Sequence, residues 1–386
     1  MKKVGDMEFV VPSVNYYGDD CFNELEEIIK SHNINSIFVV TSKDLIDLNL
    51  LDELLDILYK SGVKVNIFDE VVSNPTEKNV LDGLSKYEEL SCDSIMSVGG
   101  GSVNDCAKAI GIMASNGGEI HDYIGYNKSK NNTPLLICIN TTAGTASEIS
   151  RAFLISNKES VEKMIFKDIH ALPDYSFNNP KMMLELPPKI TAQTGMDALT
   201  HAIESYVSKG SYGLTDEFAL SSIKLIFRSL GKVVKDGHNK KLRNDMIYAQ
   251  SLAGMAFCNS GLGLVHAMAH QLGALYNLPH GLCNAILLPY VMEFNSEVSS
   301  EKYANIYREL FAHGEKISDK DACETLIDKV KKLSESVGTN VSLKEIGVKE
   351  KDFRRLSEMT LLDGNLFKNP RSVTLCDVET LFKREF

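Results

Sequence analysis

Apolar positions in the first half of the chain fall into short runs separated by stretches of helical spacing. Ser36–Val40 is a brief β-branched run, and Val63–Phe68, Ser94–Val98 and Leu135–Ile139 resemble it. Between them, Leu48–Lys60 and Val103–Ala114 repeat apolar residues three or four apart, the period of a helix with one buried face. Strand, helix, strand in this rhythm predicts a mostly parallel sheet covered by helices, because parallel strands need crossover connections.

After Leu186-Pro187-Pro188 the pattern changes. Thr191–Ser208, Thr215–Leu230, Lys241–Phe257 and Asp321–Val337 read as amphipathic helices, and strand signals are few. The prolines break the chain near residue 186, which predicts an α/β domain over 1–185 and an all-α domain over 186–386. No internal repeat or low-complexity segment appears, and Gly117-Gly118 and Lys128–Asn132 read as surface loops.

With 386 residues the chain can hold two domains and a sizeable core. Its 41 basic and 52 acidic residues give a net charge of −11, which argues against a nucleic-acid partner. No apolar run reaches the ~18 residues of a membrane span, and Met1–Asp6 carries no apolar stretch of signal-peptide length. The eight cysteines form no C-x-x-C pair, which fits a reducing, cytoplasmic setting.

Chemistry enters first at Gly99-Gly100-Gly101-Ser102, which follows one expected strand and opens one expected helix. Glycines allow close approach or positive φ, and a helix start offers free N–H groups to a phosphate. A tight turn with no ligand explains the same residues. Thr141-Thr142-Ala143-Gly144-Thr145-Ala146-Ser147-Glu148 follows another strand and is dense in hydroxyls. It suits ligand oxygens, or simply caps the next helix. Both loops fall at the C-terminal ends of strands, where open α/β sheets bind ligands.

The second half holds a possible metal set. Asp197 and His201 are four apart, as are His266 and His270, and His280 follows in Leu278-Pro279-His280-Gly281. Four-residue spacing puts each pair on one helix face. Taken singly, each has a plain structural explanation: a helix start, a surface histidine, a turn. Together they are a carboxylate and several imidazoles on segments rich in Ala, Leu and Met. Polar groups on apolar faces need a common partner, and a divalent metal such as Fe²⁺ or Zn²⁺ supplies one.

These motifs, with Asn74-Pro75-Thr76, Asp105 and Lys108 after the glycine turn, Gly261–His270 and Asn369-Pro370-Arg371, make the chain resemble the iron-containing (group III) alcohol dehydrogenases over nearly its whole length. The resemblance implies a Rossmann-like, dehydroquinate synthase-like fold, with a nucleotide-binding α/β domain and a helical metal-binding domain. It implies metal ligands Asp197, His201, His266 and His280. It implies a cofactor side made of Ser42, Asn74, Gly100, Gly101, Ser102, Asp105, Thr141, Thr142, Thr145, Ser147 and Lys163, with Phe257 walling the substrate pocket. The expected cofactors are Fe²⁺ (Zn²⁺ possible) and NAD or NADP. The expected reaction is hydride transfer between a small primary alcohol or diol and nicotinamide C4, the alcohol oxygen being held as an alkoxide on the metal. His270 is the candidate proton relay, packing being its alternative. A homodimer or larger homo-oligomer is the expected assembly.

Four positions depart from the family pattern. Ser42, followed by Lys43, stands where an acidic residue often reads the ribose, so both NAD and NADP remain open. Asn140 replaces a Pro, Ala146 a Gly and Asn179 an Asp. Competing readings are a glycerol or polyol dehydrogenase on the same fold, a dehydroquinate-synthase-type lyase, and a non-catalytic nucleotide-binding regulator. The lyase needs a basic cluster for an acidic substrate, whereas the metal motifs carry Ala, Leu, Met and Phe257.

Overall fold

A computed structural model describes residues 8–12, 14–157, 162–312 and 316–386. The signal-peptide reading of Met1–Asp6 lies outside them. Among the described residues the strands are β1 (Val14–Tyr17), β2 (Ser36–Val40), β3 (Lys64–Phe68), β4 (Ser94–Gly99), β5 (Gly125–Tyr126), β6 (Leu135–Asn140), β7 (Ala152–Asn157), β8 (Glu162–Lys167) and β9 (Tyr175–Asn178).

Six strands form one sheet in the order β1-β9-β6-β4-β2-β3, and every pairing in it is parallel. All six residues of β4 are buried, as expected of a strand covered by helices on both faces. Counting β2, β3, β4, β6 and β9 as one to five, the order is 2-1-3-4-5. In that doubly wound order the ligand crevice opens between the first and third strands, at their C-terminal ends. Ser42 follows β2 there, and Gly99 ends β4 there. The order, not only the class, therefore says where a nucleotide goes.

The hairpin of β7 and β8 pairs antiparallel and, with β5, forms a second sheet. Alternation gives it two unlike faces. Phe153, Ile155, Met164 and Phe166 are buried, with the Phe153 and Phe166 rings stacked at 4.6 Å. Ala152, Leu154, Ser156, Lys163, Ile165 and Lys167 face a large cleft.

Beyond residue 186 the chain is helical: Pro188–Val207, Gly213–Lys235, Lys240–Ser260, Leu264–Tyr276, His280–Phe311, Asp319–Ser336, Phe353–Leu362 and Leu375–Arg384. Their buried faces pool into one core around Leu199, Ile223, Ile226 and Leu288, while two other cores flank the parallel sheet. Gly195 lets two helices close: a Cβ there would lie 2.2 Å from Leu230 Cδ1. The eight cysteines are all free. Among the described residues no single helix is long and apolar enough to cross a membrane.

Candidate active site

The helix Pro188–Val207 presents Asp197, His201 and Glu204 along one stripe, each a turn from the last. Glu204 reaches the start of Leu264–Tyr276, where it accepts the backbone N–H groups of Gly263 (3.1 Å) and Val265 (2.7 Å). Its Oε2 also lies 2.6 Å from His266 Nδ1. One carboxylate thus caps a helix and fixes the His266 ring, leaving Nε2 free to ligate. His280 opens the helix His280–Phe311 after Pro279, and Asn284 stands one turn further on.

One ligand atom from each of Asp197, His201, His266 and His280 lies within 4.8 Å of the others. These residues fit a divalent ion. His201 Nδ1 is buried without a hydrogen-bond partner, 3.9 Å from Asp197 Oδ2. The Asn284 amide nitrogen lies 2.7 Å from Asp197 Oδ1 and 3.1 Å from Nε2 of both His266 and His280, so three acceptors aim at one point. Burial pushes the Asp197 carboxyl up to about 6, with the His266 charge opposing it. Burial also pushes the imidazolium forms of His201 and His280 well down, so both rings are neutral, as metal ligands must be. A cation would supply the charge that the carboxylate lacks. One carboxylate and three imidazoles suit Fe²⁺ or Zn²⁺.

His270 stands beside this group, its ring 6.1 Å from that of His266 and 5.4 Å from that of His280. Its Nδ1 lies 2.7 Å from Asp363 Oδ2, which leaves Nε2 as the free nitrogen of a cleft-lining residue. Burial lowers its pKa, and the Asp363 carboxylate opposes that shift. Phe257 stacks on His201, with ring centroids 4.4 Å apart.

On the nucleotide side the two small-residue loops are in contact. A Cβ on Gly100 would lie 2.9 Å from Thr142 Cγ2, and one on Gly101 would lie 2.8 Å from Thr145 Cγ2. None of Gly99, Gly100 and Gly101 has positive φ, so this turn uses glycine for close approach alone. Asn74, at φ 54°, joins the loops: its N–H donates to Ser102 Oγ (3.3 Å), and its Oδ1 accepts from Lys163 Nζ (2.9 Å). Buried Lys108 holds the 141–150 loop from beneath, donating to Ser147 O (2.6 Å) and Ser150 O (2.7 Å). Asp105 accepts from Ser147 Oγ (2.7 Å) and Leu154 N (3.0 Å), so its carboxylate is engaged by protein.

The departures have structural roles. Asn140 accepts from Thr142 N (3.1 Å) and donates to Asn178 Oδ1 (2.9 Å), pinning the turn. Asn179 accepts from Lys181 N (3.0 Å) and donates to Asp19 O (3.1 Å), tying β9 to the chain beyond β1. Ala146 adopts φ 52°, the left-handed conformation a glycine would adopt without strain.

A cavity of about 490 Å³ runs between the two halves. Of the residues singled out from sequence, Asn74, Gly101, Ser102, Asp105, Thr145, Ser147, Lys163, His201, Phe257, His266, His270 and His280 line it. Asp197 stands behind that wall with the other ligands. Ser42, Gly100, Thr141 and Thr142 lie outside the lining, along the sheet edge. Glu204, Asn284 and Asp363 join the site unforeseen. The first two had a signal, lying one turn beyond His201 and His280; Asp363 had none. The apolar surroundings expected from the metal motifs are incomplete, because Arg151, Lys167 and Lys368 also line the cleft. They come from stretches remote in sequence, so local reading missed them.

The description "Iron-containing alcohol dehydrogenase" matches residues 12–180, and "Fe-containing alcohol dehydrogenase family, C-terminal" matches 191–386. The chain is 42% identical over 381 residues to a 1,3-propanediol dehydrogenase of Citrobacter freundii, covering 98% of each. It is 42% identical over 378 residues to alcohol dehydrogenase 4 of Saccharomyces cerevisiae, again covering 98% of each. The crystal structure of a 1,3-propanediol oxidoreductase superposes with a TM-score of 0.96 at 41% identity, covering 99% of this chain and 100% of that one. Matched along both halves and carrying a convergent carboxylate–imidazole set, the chain belongs to the iron-containing alcohol dehydrogenase family.

Proposed function

We propose that this metal-dependent, nicotinamide-linked alcohol dehydrogenase interconverts a small primary alcohol or diol and its aldehyde. Residues 1–185 form the nucleotide-binding domain and residues 186–386 the metal-binding domain. Asp197, His201, His266 and His280 hold the metal. Asn74, Gly100, Gly101, Ser102, Thr141, Thr142, Thr145, Ser147 and Lys163 form the nucleotide side, with Asp105 shaping the loop and Ser42 at the ribose end. The protein works in the cytoplasm as a homodimer or larger homo-oligomer. The 1,3-propanediol dehydrogenase of Citrobacter freundii supports the diol.

When bound, Fe²⁺ supplies Lewis acidity to the alcohol oxygen, and the nicotinamide accepts the hydride. The chain does the rest. Glu204 and Asn284 orient the ligand set. Phe257 covers His201 and keeps water from one side of the reacting carbon. His270, steadied by Asp363, exchanges the alcohol proton at Nε2.

The observation that carries this reading is the meeting of four ligand atoms within 4.8 Å beside a cleft that begins at the glycine turn. The test is reduction of short aldehydes with NADH and NADPH, on protein reconstituted anaerobically with Fe²⁺ and separately with Zn²⁺. Asp197→Ala should lose both metal and turnover. Full activity after exhaustive chelation would overturn the reading, and turnover without net NAD(P)H consumption would favour a lyase.

A further inference from the structure

Three cations line the cleft, and the function described above uses none of them. Arg151 follows the 141–150 loop, Lys167 ends β8, and Lys368 lies just before Asn369, yet all three line the same cavity. Burial pushes the neighbouring Cys258 thiol up, and the charges of Lys108, Lys167 and Arg151 oppose that push, so two of the three cations act on one point. Cys258 follows Phe257, the ring stacked on His201. Arg151 and Lys167 thus act on the wall that carries Phe257, and the Lys368 side chain lies over Gly261 at the end of the same helix.

Beyond the pull of Lys167 on the buried Asp363 carboxylate, their charges are poorly answered by protein. Among the described residues neither Lys167 nor Lys368 pairs with a carboxylate. Lys167 Nζ stands 5.4 Å over the Tyr126 ring. Among the described residues the one carboxylate paired with Arg151 is that of Glu8, at 3.9 Å, a side chain 74% exposed. Asp105, the carboxylate of the cavity lining, is engaged by Ser147 and Leu154. In a chain of net charge −11 this is a local reversal of sign, and a low-dielectric cleft concentrates its field. The glycine turn offered to the nucleotide phosphates belongs to a different element of the cleft wall. The glycine turn lies at the end of β4, whereas these cations lie at the foot of the β7–β8 hairpin and in the helical half.

The geometry points to a substrate with an anionic group, carboxylate or sulfonate, at the end remote from the reacting carbon. Arg151, Lys167 and Lys368 hold that group while the carbonyl oxygen faces the metal ligands. The inference rests on the alcohol dehydrogenase reading, because it names the substrate of that site. In the reducing direction the hydride leaves nicotinamide C4 and forms the new C–H bond at the carbonyl carbon. The carbonyl π pair takes one proton to give the hydroxyl, and the cofactor is oxidised by two electrons. The anionic group is untouched and serves only as a handle.

The test compares 4-oxobutanoate with butanal, equal in chain length and differing in charge, on the Fe²⁺-loaded enzyme. A kcat/KM ratio of about 10 or more in favour of 4-oxobutanoate is expected, shrinking as salt is raised. Lys368→Met, Lys167→Met and Arg151→Met, which keep side-chain bulk, should each lower that ratio several-fold. A ratio of one or less, or one unmoved by all three substitutions, would overturn the proposal. So would variants that raise KM for NADPH while leaving the ratio intact, since the cations would then serve the nucleotide. If the loaded enzyme reduces no aldehyde, the dehydrogenase reading fails by itself. Calorimetric binding of 4-hydroxybutanoate against 1-butanol then still reads the charge preference, and equal affinities would sink it.

Discussion

Glu204 and His266 form a buried pair: Oε2 of the carboxylate lies 2.6 Å from Nδ1 of the ring, and both side chains are almost wholly enclosed. The carboxylate also caps the helix that carries the histidine. Ring orientation and helix start are thus fixed by the same group. Glu204→Gln should weaken metal affinity by about 10- to 100-fold. Metal titration of the apoprotein measures this, and an unchanged dissociation constant would show that the pair is structural only.

His270 touches the cleft but belongs to no ligand set. His270→Ala should keep full metal content and lower kcat by roughly 100-fold. Asp363→Asn should give a smaller loss, because the ring remains and only its anchor weakens. Metal analysis beside steady-state kinetics separates the outcomes; wild-type kcat in His270→Ala would remove it from proton transfer.

Ser42 follows β2 at the crevice, and its hydroxyl caps no helix. A carboxylate there would repel a 2′-phosphate and bind ribose hydroxyls. Ser42→Asp should shift kcat/KM towards NADH over NADPH by about tenfold, roughly 1.4 kcal/mol. An unaltered coenzyme ratio would show that another residue reads the ribose.

Ala146 is held at φ 52° against the helix Lys240–Ser260. A Cβ on Gly254 would lie 2.5 Å from Ala146 Cβ and 2.8 Å from Ile149 Cδ1. Gly254→Ala should therefore cost about 1–3 kcal/mol by overpacking. Adding Ala146→Gly removes one clashing methyl and the left-handed strain, and should restore part of that loss. Thermal or urea unfolding of the two single variants and the double variant tests the coupling, and strict additivity would count against it.

What could be read from sequence follows the range of the interactions. β2, β4 and β6 are buried on almost every residue, so their apolar runs stand out, whereas β3 is an edge strand with Lys64 and Ile67 exposed. β1 and β9 are only four residues long. In β7–β8 the cleft face also carries Ala152, Leu154 and Ile165, which blurs the alternation. The helix expected over 48–60 begins only at Asp52, because Asn49 takes φ 54° and turns the chain first. Asp197, His201 and His266 stood out because four-residue spacing is a local signal. Asp363 lies 93 residues from His270, and Arg151, Lys167 and Lys368 meet only through tertiary packing. No periodicity encodes such meetings.

The hairpin of β7 and β8 places neighbours in opposite roles, Phe166 in the core and Lys167 in the cleft. A lineage can therefore exchange residues 165 and 167 for others of different charge while the stacked phenylalanines behind them stay in register. Diversification of ligand choice needs no change in foldedness at this wall, since alternate codons answer to separate selective pressures.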